Sequence, residues 1–190
     1  MLQGLYMRNG ILLGVFFLSQ FAHSQQVRLK TNREYFASME ASTNVDGRNQ
    51  LIRSYYIDRN STLPQTGKLN ELSTLGLATA LGLSSLFCDK MINVDSMEMN
   101  TANRWVHSSI DFELSPDQAF SPSIKKEILN TYAELFWQRK LTAEELTIFE
   151  LMMDDFTANL PKAPASTKLT LVSTCAVFST SIESLIALSI

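Results

Sequence analysis

The chain has 190 residues, two cysteines, and 16 bases against 19 acids for a net charge of −3. No basic cluster or stripe appears in it, which argues against nucleic acid and anionic membrane surfaces as partners. Its length suits one domain with a substantial core.

The first residues read as an export signal. Met1 to Gly10 carries one charge, Arg8, and the apolar run Ile11 to Leu18 follows. That run is long enough for a signal-peptide core and too short to span a bilayer. Ala22-His23-Ser24 supplies the small residues that a signal peptidase reads, which predicts a signal peptide over 1–24 and cleavage before Gln25. The mature chain, 25–190, then holds 15 bases against 19 acids, because Arg8 leaves with the leader. Only Gly47, Gly67, Gly76 and Gly82 remain in it. Scarce turn glycines and several 3.6-period segments predict an all-α fold, a single bundle of about five helices.

In chain order, Asn49 to Arg59 places Leu51, Ile52, Tyr55 and Tyr56 on one face of a short helix. Pro64 and Gly67 end it with a turn. Glu71 to Ile92 is apolar nearly all round, which predicts a central helix surrounded by others. Gly76, Ala80, Gly82 and Ser84 lower its helix propensity, and close approach of a neighbouring backbone is the expected compensation. Its uncharged stretch is short and rich in Ser, Thr and Gly, so no stable membrane span is expected.

Periodicity fails from Asn93 to Phe120, which predicts a loop or a short extended piece. Ser121 then caps a helix that has Pro122 at its first position, with Ile124, Ile128, Tyr132, Leu135 and Phe136 as its buried stripe. The next helix opens on a capping box, Thr142 to Glu145. Behind it Leu146, Phe149, Met153, Phe156 and Leu160 recur at steps of three and four, predicting one buried face, with Glu144, Glu150 and Asp154 pointing away. Pro161 and Pro164 precede a last helix, expected from Thr167 to Leu188.

Candidate chemistry is sparse. Leu63-Pro64-Gln65-Thr66-Gly67 spells a sortase signal, but it lacks the apolar span and basic tail that such a signal needs, and it reads as an interhelical turn. Asn60-Ser61-Thr62 matches a glycosylation acceptor, a triplet frequent by chance. His107 is the one mature histidine. It stands near Ser108, Ser109 and Asp111 and is expected to be a solvated loop residue without catalysis or metal. One histidine and two separated cysteines make no usual zinc site, and no Cys-x-x-Cys-His is present for covalent haem. Met91, Met97 and Met99 crowd one stretch as copper(I) ligands would, yet methionine is also an ordinary core filler. The acid pairs Glu144-Glu145 and Asp154-Asp155 suit a helix N-terminus and a solvated face. No catalytic residue, metal or cofactor is assigned.

Cys88 and Cys175 lie in nearly uncharged helical segments. A secreted chain with two cysteines is allowed one bridge, and the competing reading is two buried free thiols. A bridge over so long a loop would constrain the unfolded chain by up to about 4–5 kcal/mol.

The order of Phe36 to Val45, Leu63-Pro64, Gly67, Leu77-Ala78, Leu86-Phe87-Cys88-Asp89, Cys175 and Ser179 resembles an uncharacterised cysteine-paired helical domain of secreted bacterial proteins. That domain is sometimes attached to concanavalin-type, lectin-like sandwich domains. The likeness covers about Arg33 to Leu185, with Asn44 where glycine is expected and no sandwich domain alongside. It implies the Cys88–Cys175 bridge and a bacterial envelope setting, and it implies no active site.

The reading that follows is a non-enzymatic exported module of the periplasm, outer envelope or extracellular space. It is expected to dock onto another envelope or extracellular protein. The alternative is a carrier of a small apolar ligand, in a cavity lined by Phe149, Met152, Met153 and Phe156.

Overall fold

The computed structural model describes residues 26–189, so the expected leader and the cleavage before Gln25 lie outside the described residues. Strand β1 is Gln26–Leu29. Helices follow as α1 (Asn32–Thr43), α2 (Gln50–Arg59), α3 (Thr74–Met97), α4 (Pro116–Ala119), α5 (Pro122–Trp137), α6 (Ala143–Ala158), α7 (Pro164–Thr180) and α8 (Ile182–Leu185). Strand β2, Ile186–Ser189, closes the chain against β1. Among the described residues the fold is all-α, as predicted, with six α-helices of ten residues or more and two α-helices of a single turn.

Local chemistry sets most of the boundaries. Ser121 accepts from the Ile124 N–H ahead of Pro122, and Thr142 and Glu145 form the capping box expected of them. A second capping box, Thr31 with Glu34, opens α1, a helix not anticipated from the sequence. That helix stops at Asn44, which adopts the left-handed conformation (φ 54°). Glycine or asparagine is favoured there because other side chains crowd the following carbonyl. The glycine expected at that position and the asparagine found there therefore do the same work. Gly67 sits at φ +80°, and a Cβ on it would lie 2.7 Å from the Leu29 carbonyl.

Two expectations about the long helices are overturned. The last helix does not run to Leu188. It ends at Thr180, Ser181 turns extended at ψ 160°, and after one more turn the chain pairs antiparallel with β1, Leu29 opposite Ile186 and Val27 opposite Leu188. The Lys30 N–H donates to the Leu185 carbonyl and the Leu29 N–H to Gly67, so each end of the described chain is tied to a distant segment.

Nor is α3 enclosed on every side. Gly76, Thr79, Ala80, Leu83, Ser84, Phe87, Cys88, Met91, Ile92 and Asp95 are buried, whereas Leu75, Leu77 and Leu81 are 56%, 39% and 45% exposed. The helix at the centre is α7, which contacts α3, α4, α5, α6 and α8.

Small residues let these two helices meet. The inward residues of α7 include Ser166, Thr167, Thr170, Thr174, Cys175, Ala176 and Ser179. Their hydroxyls need partners in a dry interior. Thr170 and Thr174 donate to the carbonyls of Ser166 and Thr170 one turn back, and Thr167 donates to Leu114. On α3, Gly76 admits the Thr62 backbone carbonyl, as its composition suggested, while Gly82 admits the Tyr55 side chain instead. Cys88 and Cys175 join α3 to α7 with a Cα–Cα distance of 6.0 Å, and both are fully buried.

Candidate functional site

The densest polar constellation lies under the irregular segment between α3 and α4. Asp95 continues the buried face of α3, one turn beyond Met91 and Ile92, and is itself buried. After α3 ends the chain folds back on itself. Arg104 holds this bend by donating from Nε to the Glu98 carbonyl (3.1 Å) and from Nη1 to the Ile110 carbonyl (2.6 Å). Three successive N–H groups then converge on the Asp95 carboxylate: Trp105 at 2.7 Å, Val106 at 3.0 Å and His107 at 3.0 Å. Consecutive backbone N–H groups aimed at one anion form a nest, here filled by the protein's own carboxylate.

His107 completes the arrangement. Its Nδ1 lies 2.7 Å from Asp95 Oδ2 and its Nε2 lies 2.7 Å from the Tyr132 hydroxyl of α5. Tyr132 Oη in turn lies 3.4 Å from the Leu171 carbonyl of α7. With Nδ1–H donating to the carboxylate and Nε2 accepting from Tyr132, every polar atom of the neutral ring is satisfied. The ring packs edge-on to Phe112 and Tyr132.

This corrects the expectation of a solvated loop histidine. His107 and Tyr132 are each buried, and the segment that carries His107 packs into the core, where its N–H groups and the imidazole ring serve the Asp95 carboxylate. Ser108, Ser109 and Asp111 do not bond to the ring among the described residues.

Charge is distributed accordingly. Burial alone would raise the Asp95 carboxyl, but hydrogen bonds from the His107 ring and the three backbone N–H groups outweigh it and hold the pKa at about 2. Burial lowers the His107 pKa, opposed by the adjacent carboxylate and assisted by the Arg104 charge. Burial also pushes the Tyr132 phenol well above its usual range, with the Asp95 charge acting in the same direction. An anionic Asp95, a neutral His107 and a neutral Tyr132 are therefore the resting forms. The ring nitrogens are both engaged and no face of the imidazole meets solvent, so a solute reaches it only if the segment opens. The constellation ties α3, the irregular segment, α5 and α7 to one point.

The remaining candidates are scattered. Cys88 and Cys175 form the bridge, so the free-thiol alternative is set aside. Met91 is buried near the bridge, while Met97 and Met99 are 78% and 95% exposed, so the three thioethers do not converge. No group of three or more His, Cys, Asp or Glu side chains able to hold a metal occurs among the described residues. Glu145 caps α6 and pairs with Arg139 through two bonds of 2.7 and 2.8 Å, which hold its pKa at about 2. Asp154 pairs with Lys125.

On α6 only Met153 is fully buried. Leu146, Phe149, Phe156 and Leu160 are half-buried, Glu144 and Asp154 are exposed, and Glu150 is half-buried rather than solvated. Phe149 stacks on Phe178 (4.4 Å) and Trp137 (5.6 Å). By length and composition α3 alone among the described helices could cross a membrane, and half of its most apolar window is buried inside the fold.

Part of the Asp95 constellation has a sequence signal. Asp95 falls on the same helical face as Cys88 and Ile92, and an acid at a core position requires buried donors. The donors themselves, from an aperiodic segment, carry no such mark. The chain matches no protein-family model, no curated protein and no solved structure, so nothing beyond the residues already quoted bears on the cysteine-paired resemblance.

Proposed function

We propose that this chain is a disulfide-clamped docking module that works outside the cytoplasm and catalyses no reaction of its own. The observation that carries the reading is the outer side of α3. A helix that is apolar all round is normally covered all round. Here the fold covers only the side that bears Leu83, Phe87 and Met91, and Leu75, Leu77, Ala78 and Leu81 remain at the surface. A protein of the envelope or extracellular space with a complementary apolar groove would supply the missing cover.

Two further features support the proposal. A buried bridge suits an oxidising compartment, in keeping with the leader expected over 1–24. The single histidine of the mature chain is held on both nitrogens and shielded from solvent, which supports a structural duty for it.

The test is a photo-crosslinking residue placed at Leu81, compared with one at exposed Lys126 on α5, in cells of the native host. One discrete adduct from position 81, lost in a Leu77→Asp background that melts like the parent, is the expected outcome. A crosslinking pattern at 81 no different from that at 126 overturns the docking reading. An adduct of twice the chain's own mass would assign the face to a second copy.

A further inference from the structure

A cleft of about 510 Å³ opens between the start of α1, the end of α2 and the turn that follows, lined by Thr31, Asn32, Arg33, Tyr56, Asn60 and Gln65. That volume falls within the range of roughly 300–1,000 Å³ usual for small-molecule sites. Its polarity does not come from the helix N-terminus. The Glu34 N–H is capped by Thr31 Oγ1 and the Arg33 N–H donates to Asn32 Oδ1, so the side chains are what a ligand would meet.

Those side chains are organised before any ligand arrives. Gln65 Nε2 donates to the carbonyls of Asn60 (2.7 Å) and Leu63 (2.6 Å), and Asn32 Nδ2 donates to Gln65 Oε1 (3.2 Å). Both carboxamides are thereby oriented, and among the described residues one N–H on Asn32, a lone pair on Gln65 Oε1 and the amide oxygen of Asn60, whose Nδ2 donates to Ile57, have no partner. Tyr56 is set by Phe36, ring centroids 4.3 Å apart, and its hydroxyl has no partner among the described residues. Arg33 is exposed and meets no carboxylate among the described residues. The acids nearby are engaged: Glu34 with Arg28 and Thr31, Glu71 with the backbone of Gln65, Thr66 and Gly67. Burial raises the Tyr56 phenol above its ordinary range, opposed in part by the nearby Arg33 charge.

We propose that this cleft binds a small acidic saccharide, a uronic-acid unit, through Arg33, Tyr56 and the carboxamides of Asn32, Asn60 and Gln65. Each demand of such a ligand has a matching group. A carboxylate is suited to the planar guanidinium, which offers two parallel donors. A sugar hydroxyl both donates and accepts, so it needs donors and acceptors side by side, as carboxamides supply. The C–H side of a pyranose suits the electron-rich face of an aromatic ring. A purely apolar ligand would leave these polar groups desolvated and unpaired. A phosphate would find one cation and no free backbone nest, since the N–H groups of residues 65–67 already serve Glu71. The site is separate from the outer side of α3 and stands whether or not that face docks a partner.

The experiment is an NMR titration of the nitrogen-labelled chain with D-glucuronate, D-galacturonate, D-glucose and N-acetyl-dialanine. Saturable shifts at Arg33, Tyr56 and Gln65 with a uronate, and weaker ones with glucose, are expected. Arg33→Gln should weaken uronate binding about tenfold or more, the size of a lost charge-assisted hydrogen bond, and leave glucose binding unchanged. Should Arg33→Gln alter the melting temperature, Arg33→Lys keeps the charge and removes the fork, and it should still weaken the uronate. The proposal is overturned if no uronate saturates these residues, if glucose binds as tightly, or if Arg33→Gln binds the uronate unchanged. Preferential binding of N-acetyl-dialanine would also overturn it and reassign the cleft to a peptide carboxylate.

Discussion

Replacing His107 by alanine separates a structural ring from a solvated one. The substitution deletes a side chain with 0% exposure that touches Phe112 and Tyr132. Large-to-small changes at such sites cost about 2–5 kcal/mol, depending on how far the cavity collapses. Asp95 loses one of four donors but keeps the three backbone N–H groups, and Tyr132 retains the Leu171 carbonyl at 3.4 Å, so no buried charge is left wholly unpaired. A loss of about 3–4 kcal/mol is therefore expected, a large share of the stability of an ordinary domain. Tyr132→Phe, which removes the Nε2 partner together with the 3.4 Å approach to the Leu171 carbonyl, should cost about 1–2 kcal/mol, and the double variant less than the sum of the two. Urea unfolding of the oxidised protein, with the denaturant slope checked for constancy, measures all three. A His107→Ala loss below about 1 kcal/mol, the range of surface substitutions, would refute the sealed constellation.

The remaining expectations concern acid and the bridge. His107 has a lowered pKa in the fold, so the unfolded chain binds more protons, and its contribution is complete above about pH 6.5 and declines as pH falls below that value. Asp95, held at about 2, adds a second decline that begins below about pH 4. The groups facing the ring, Asp95 from α3, Arg104 from the irregular segment and Tyr132 from α5, do not reverse that sign, and Lys168 of α7 lies over Phe112, on which the ring also packs. The urea midpoint should fall between about pH 7.5 and pH 5 in the parent and stay level in His107→Ala; equal declines in both would rule out the histidine as the cause. Removing the bridge with the pair Cys88→Ala and Cys175→Ala should lower stability by about 2–5 kcal/mol, because the bridge closes a loop with a sequence separation of 87. Thermal unfolding no different from that of the oxidised parent would show that packing of α3 on α7 suffices alone.

Much of this protein is written locally. The all-α class, the turn at Pro64–Gly67, the caps at Ser121 and Thr142 and the starts of α2, α5 and α6 follow from residues within one helical turn of each boundary, because propensity, capping and periodicity are short-range properties. The Thr31–Glu34 box was equally local and shows that α1 was legible in the same way. The bridge was readable as the one pairing that two cysteines permit. Tertiary structure decided what depends on distant partners. The end of α7 at Thr180 follows from strand pairing with Gln26–Leu29, and no window of sequence near Ile186 contains that partner. The apolar composition of α3 does not say which side the fold leaves open, since that depends on where α2 and α7 pack. His107 looks like any loop histidine until the chain folds back, because its burial is imposed by an Asp95 carboxylate that needs donors and finds them in the segment after Arg104.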